Sequence, residues 1–250
     1  MTFRDHFSAH AADYGRYRPT YPPALFAWLA AVAPGKRVAW DCATGNGQAA
    51  TGLAPHFETV IATDASEKQL AHAVPVPNVT YRLARSEQSG LPDRSTDLVT
   101  VAQAIHWFEF DAFYAEVRRV ARPGGLLAAW TYVLLEIDPE VDAITNELWG
   151  ETLKDDWPPE RRYVDEAYRT LPFPFEEVQA PAFEMEVSWD LDEVVGYLST
   201  WSAVRKFVAR MGYDPLEAVW ERLEKAWGDP AKKRRVRWPV ILRVGRAGRG

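Results

Sequence analysis

The chain has 250 residues, 47% of them hydrophobic, and a formal net charge of −6. That leaves room for one α/β domain with an insertion and a full core, which sets aside disordered and fibrous classes. Its single cysteine, Cys42, excludes an intrachain disulfide. The N-terminus lacks an apolar signal core and the longest apolar runs, such as 25–33, are too short to span a bilayer, so a soluble cytoplasmic protein is expected.

Strand and helix signals alternate through the first half. Pro22 and Pro23 open a helix carrying Leu25, Trp28, Leu29 and Val32, and Pro34-Gly35 ends it. Residues 37–41 read as a short strand closed by an acid. A Gly-rich turn at 44–47 follows, then a helix to about His56. A second strand, 59–63, is again closed by an acid, Asp64. A helix over 66–74 and a third strand over 79–83 come next. The fourth strand, 97–105, is mostly apolar, as expected when both faces are buried. Asp111 starts a helix that Arg122-Pro123-Gly124-Gly125 ends, and 126–133 is the fifth strand. This rhythm predicts a parallel sheet with helices on both faces.

The second half changes character. Residues 138–174 are rich in proline and aromatics and read as irregular helices and loops. A strand over 178–187 precedes Asp190 and Glu193, spaced as a capping box. A further helix starts at Asp214-Pro215 and stops at Gly228-Asp229-Pro230, before a last strand. One domain over 1–250 is expected. Its core is 1–135, 175–189 and 232–246, and 136–174 and 190–231 form a cap beside the site.

Eight basic residues and no acidic ones fall within 231–250, so the rest of the chain is markedly acidic. A basic tail can contact nucleic acid. Here Val236, Trp238, Val240, Leu242 and Val244 alternate through it, which suits a strand with charged flanks, and an acidic body argues against a DNA groove binder. No nucleic-acid or membrane partner is expected.

The most informative segment is Asp41-Cys42-Ala43-Thr44-Gly45-Asn46-Gly47-Gln48-Ala49-Ala50. Glycines at a strand–helix turn let the backbone approach a ligand and present free N–H groups. Asp64 lies 19 residues after Gly45, at the end of the next strand, where a carboxylate can accept ribose hydroxyls. Gly45, Gly47 and Ala50 also satisfy the dinucleotide pattern G-x-G-x-x-A, so an NAD(P)-dependent oxidoreductase stays open. Asp41 weighs against it. A carboxylate at the mouth of the first strand would repel a pyrophosphate but suits the ammonium and sulfonium of S-adenosylmethionine.

Taken together, these residues resemble the class I methyltransferases of the type 11 group, in a subgroup that includes trans-aconitate-methyltransferase-like proteins. The resemblance runs through the Tyr14–Pro22 segment, the Gly motif, Ala62-Thr63-Asp64-Ala65-Ser66, Gln103-Ala104-Ile105-His106-Trp107-Phe108 and Arg122-Pro123-Gly124-Gly125. It continues in Trp157-Pro158-Pro159-Glu160-Arg161-Arg162 and the stretch from Gly196 to Val204. It implies a doubly wound, mostly parallel seven-stranded Rossmann-like sheet with a helical cap insertion near the C-terminus. It also implies S-adenosylmethionine as cofactor. Gly45, Gly47 and Gln48 would line the methionine end, Asp64 would hold the ribose, and Ala65, Ser86 and Glu87 would surround the adenine; Gln103, at the carboxyl end of the fourth strand, falls in the cofactor crevice. Tyr14 and Arg18 would fold over the cofactor or strap the N-terminus to the body. Ala43 stands where the wider class has glycine, and Arg85-Ser86 where many relatives have Asp-Ala.

Methyl transfer from a sulfonium mainly requires alignment and exclusion of water. His106 is the candidate general base, with ordering of the loop after the fourth strand as its alternative role. The second-half tryptophans suit a flat or apolar acceptor or form the core of the cap; the resemblance implies small organic acids as one option, with Arg161, Arg162 or Arg205 able to meet a carboxylate. The expected partner is a small-molecule acceptor, a carboxylic acid or another apolar metabolite, bound by a monomer or homodimer. A non-enzymatic cofactor-binding protein is the remaining alternative. His6 and His10 have metal-compatible spacing but no evident third ligand, so no metal is expected.

Overall fold

The computed structural model describes residues 17–247. Five parallel strands build most of the sheet: β1 (Val38–Cys42), β2 (Thr59–Asp64), β3 (Val79–Leu83), β4 (Thr96–Ala102) and β5 (Ala121–Tyr132). With β6 (Glu176–Glu177), β7 (Phe183–Trp189) and β8 (Arg234–Arg246), the order is β3-β2-β1-β4-β5-β8-β6, and β7 also pairs with β8. β8 runs antiparallel to β5, β6 and β7. Because β6 and β7 lie along one edge of β8, they act as a single interrupted strand, and the sheet is effectively seven-stranded.

Strand alternation builds two cores. In β4, Leu98 packs towards α1 (Pro23–Val32) and α2 (Gln48–Leu53), while Val99 and Val101 pack towards α4 (Phe110–Val120). β5 repeats the pattern, with Leu126, Ala128 and Trp130 on the first face and Leu127 and Ala129 on the second. A third core lies under the cap, where α5 (Pro139–Glu147) is followed by a π-helical turn (Leu148–Thr152) and α6 (Arg162–Asp165). The insertion between β7 and β8 supplies α7 (Leu191–Ser199), α8 (Ser202–Met211) and α9 (Pro215–Trp227). Their buried faces pack with Met185, Val236 and Trp238 of the β7–β8 ribbon. Asp190 and Glu193 form the capping box the sequence indicates.

Several boundaries differ from the sequence reading. The fourth strand ends at Ala102 because Gln103 turns to φ +58°, and Ile105–Trp107 form a 3-10 turn. The expected strand over 178–187 is broken between β6 and β7, where Pro181 has no N–H for a ladder. β5 begins at Ala121, so Arg122–Gly125 lie inside the strand, beside a register shift between Thr96 and Leu98. The helices expected over 48–56 and 66–74 shorten to α2 and α3 (Glu67–Leu70), with Pro55 and Pro75 in the chain that follows them.

The basic C-terminal strand faces carboxylates. Arg235 pairs with Glu184 at 3.0 Å and Glu186 at 2.5 Å, Arg237 with Glu136 at 3.0 Å, and Arg243 with Glu177. This arrangement accounts locally for the charge asymmetry. Among the described residues, no helix is long and apolar enough to cross a membrane.

Candidate active site

The turn after β1 is a run of left-handed backbone. Ala43, Gly45 and Gly47 have φ of +54°, +59° and +89°. Glycine adopts this conformation freely, but at Ala43 the Cβ crowds its own carbonyl. A Cβ on Gly47 would collide with the Tyr81 phenol, so this glycine permits a close approach as well as a turn. Gln48 opens α2 directly behind it.

The two strand-end acids do different work. One Asp64 oxygen accepts the Gly45 N–H at 2.8 Å and the other accepts the Ser66 N–H at 2.8 Å. The carboxylate thus ties the tip of β2 to the Gly turn. Asp41 is wholly buried beneath the turn. It accepts from the Thr44 hydroxyl at 2.5 Å and from the Thr100 hydroxyl at 2.7 Å. Burial pushes its pKa up to about 6, against these hydrogen bonds and with the Asp64 charge adding to the rise. Asp41 therefore presents no exposed oxygen, and its nearest link to the turn is the Thr44 hydroxyl.

Beyond Asp64 the surface opens into a depression of about 500 Å³ lined by Ala65, Leu83, Ala84, Arg85, Gln88, Ser89 and Gly90. Leu83, 61% exposed, gives it an apolar wall at the end of β3. Ser86 and Glu87 are not in this lining. Ser86 donates to Glu87 at 3.1 Å and Arg85 pairs with Glu87 at 2.5 Å, so these three residues engage one another at the rim. The sequence reading placed Ala65 in this region and missed Leu83, whose signal was an apolar residue at the carboxyl end of an edge strand.

Past the tip of β4 the crevice becomes aromatic. The Thr131 hydroxyl donates to Gln103 Oε1 at 2.7 Å, while Gln103 Nε2 is buried without a partner. The Tyr168 phenol engages Thr131 and lies 3.1 Å from His106 Nδ1. Tyr168 and its neighbour Ala167 have φ of +54° and +53°. With Gln103, that makes three strained non-glycine residues around one hydrogen-bonded chain, a concentration expected where function dictates position. His106 is buried, and burial together with the Arg161 charge lowers its pKa to about 3. It is thus a neutral imidazole and a weak base, locked to Tyr168. Arg18 donates to the Tyr132 phenol at 2.9 Å and lies 5.0 Å from the Tyr197 ring centroid. Tyr14, His6 and His10 lie outside the described residues. Tyr132, Thr131 and Tyr168 were missed from sequence, since nothing local distinguishes them from core residues.

This sheet order, closed by an antiparallel last strand and carrying a glycine turn between two acid-tipped strands, defines a Rossmann-like methyltransferase fold. A methyltransferase domain family matches residues 40–129. The chain is 36% identical over 248 residues to a Dictyostelium discoideum protein named as a methyltransferase, covering 96% of this chain and 94% of that one. A protein of Saccharomyces cerevisiae named as an S-adenosylmethionine-dependent methyltransferase is 30% identical over 132 residues, 49% of this chain and 45% of that one. The structure of an Anaeromyxobacter dehalogenans protein named as a type II methyltransferase superposes with a TM-score of 0.89 at 51% identity, covering 93% of this chain and 99% of that one. The chain belongs to the class I methyltransferases of the type 11 group.

Proposed function

We propose that the protein transfers a methyl group from S-adenosylmethionine to a small-molecule acceptor, a carboxylic acid or another apolar metabolite, in the cytoplasm, as a monomer or homodimer. The observation that carries the choice of cofactor is Asp41, buried beneath the glycine turn with hydroxyl partners and, among the described residues, no basic side chain bonded to it. Asp64 adds a second negative charge nearby. A pyrophosphate at this turn would meet both charges, whereas a cationic ligand is favoured by them.

The residues fit the cofactor along its length. The Gly45–Gly47 turn allows close approach at the methionine end, Asp64 stands where a ribose would reach it, and the Ala65–Leu83 depression offers a surface for a flat base. S-adenosylmethionine, when bound, supplies a methyl group already activated by its sulfonium. The protein then has to align the acceptor and exclude water, and the aromatic crevice beyond β4 provides walls for both. An acceptor already ionised, such as a carboxylate, needs no base. With its low pKa, His106 acts by ordering Tyr168 rather than by taking a proton.

Calorimetry tests the reading. S-adenosylhomocysteine should bind in the micromolar range, and Asp64→Ala should abolish the heat. Asp41→Asn should weaken S-adenosylmethionine and strengthen NAD binding. Clear NAD binding by the wild-type protein, with no heat from S-adenosylhomocysteine, would reverse the assignment.

A further inference from the structure

Arg161 ends a 3-10 turn, Pro159–Arg161, that packs against the Ile105–Trp107 turn directly after β4. This is the carboxyl edge of the sheet, where open α/β folds bind their ligands. The guanidinium carbon lies 4.0 Å from the Trp149 ring centroid and 4.5 Å from that of Trp157. Those two rings are 4.4 Å apart, and Trp201 stands edge-on to Trp149 at 5.1 Å. The cation therefore sits in an aromatic box built by the cap.

Its polar needs are only partly met, although 22% of the side chain is exposed. Among the described residues the guanidinium donates no hydrogen bond, and Nε is buried without a partner. The carboxylate it pairs with, Asp165, is 3.7 Å away, beyond hydrogen-bond range, and 44% exposed. Its other electrostatic neighbours are the Tyr197 and Tyr132 phenols, neutral His106 and a second cation, Arg18. Burial, with Arg18 contributing, lowers the Arg161 pKa to about 10. Leaving the buried Nε–H unsatisfied beside another cation is costly. A guanidinium held by one long ion pair can be met more fully by a bidentate anion.

We infer that Arg161, in its Trp149–Trp157–Trp201 box, anchors an anionic group, carboxylate in class, on a flat or apolar acceptor. The inference rests on the methyltransferase reading for the word acceptor, but the anion site itself does not. It narrows the acceptor to organic anions and makes Arg161, rather than its neighbour Arg162, the residue that selects them. Arg162 is exposed and turned to the Tyr163 hydroxyl, to which it donates at 3.1 Å.

The test titrates protein saturated with S-adenosylhomocysteine and follows tryptophan fluorescence. Three carboxylates, cinnamate, phenylacetate and fumarate, are compared with their neutral amides. At least one carboxylate should bind about tenfold more tightly than its amide, with a fluorescence change. Arg161→Gln should erase the preference and leave S-adenosylhomocysteine affinity unchanged. Arg161→Lys should keep part of it, because the charge survives without the planar fork. No preference for any carboxylate in the wild-type protein would overturn the inference, and that result requires no variant to fold. An equal preference in Arg161→Gln would overturn it too, leaving Arg161 as a post that props the tryptophans. Failure of S-adenosylhomocysteine to bind would count against the methyltransferase reading alone; the carboxylate comparison is then made without it and judged by the same criteria.

Discussion

The Gly45 amide donates to the Asp64 carboxylate across 2.8 Å, joining the turn that follows β1 to the tip of β2. The acid expected to receive a ribose also holds the glycine turn in shape. Asp64→Asn keeps the size of the side chain but loses charge at both amides. Charge-assisted bonds are about twice as strong as neutral ones, so stability should fall by about 1 kcal/mol as well as S-adenosylhomocysteine affinity. Urea unfolding of the unliganded protein separates the two effects; an unchanged midpoint would show that the bonds to Gly45 and Ser66 carry no structural weight.

Asp41 should make the unliganded protein less stable at neutral pH than its amide variant. The folded-state pKa of about 6 lies above the ordinary 3.8 of an aspartate. Stability linked to this proton is thus fully present below pH 3.8 and is lost as the pH rises through 6. Asp41→Asn should be more stable than wild type by about 2 kcal/mol at pH 7.5, and the gain should vanish near pH 4. Thermal unfolding at the two pH values checks this, and a gain that persisted at pH 4 would assign it to packing.

His106 carries the opposite sign. Its folded-state pKa of about 3 lies below the ordinary 6.5, so the stability it contributes is complete above pH 6.5 and lost as the pH falls towards 3. Wild type should lose about 2 kcal/mol between pH 7 and pH 5 relative to His106→Gln. Nitrogen-detected NMR should show a neutral ring across that range. A ring titrating near pH 6.5 would return His106 to the role of general base.

The glycine turn should answer unequally to methyl groups. Ala43→Gly removes a Cβ from left-handed backbone at φ +54° and should stabilise the protein by about 1 kcal/mol. Gly47→Ala adds one at φ +89° against Tyr81 and should cost about 2 kcal/mol or more, together with cofactor affinity. At Gly45 only the end of Gln69 comes near, at 3.9 Å, so Gly45→Ala should be the milder change. Chemical denaturation of the three variants ranks them, and equal losses at Gly45 and Gly47 would discount the Tyr81 contact.

The core strands and the cofactor turn were legible because their signals are local: apolar runs closed by Asp41 and Asp64, glycines between them, and a capping box at Asp190 and Glu193. The acceptor side was not. Tyr168 reaches His106 from 62 residues away, and its positive φ leaves no mark in the sequence. Arg161 was one of three arginines that could meet a carboxylate; only the fold showed which of them is boxed by tryptophans. Strand ends were misjudged where backbone geometry overrode side-chain character, as at Gln103, whose apolar neighbours suggested that the strand continued.

The 13 residues of β8 pair with β5 through their second half and with β7 through their first. One continuous ribbon is therefore both the last plank of the floor and the first beam of the roof. A hinge between the two would have to shear that beam. Any closing motion between them would then have to come from side chains and loops rather than from a swing of the whole cap.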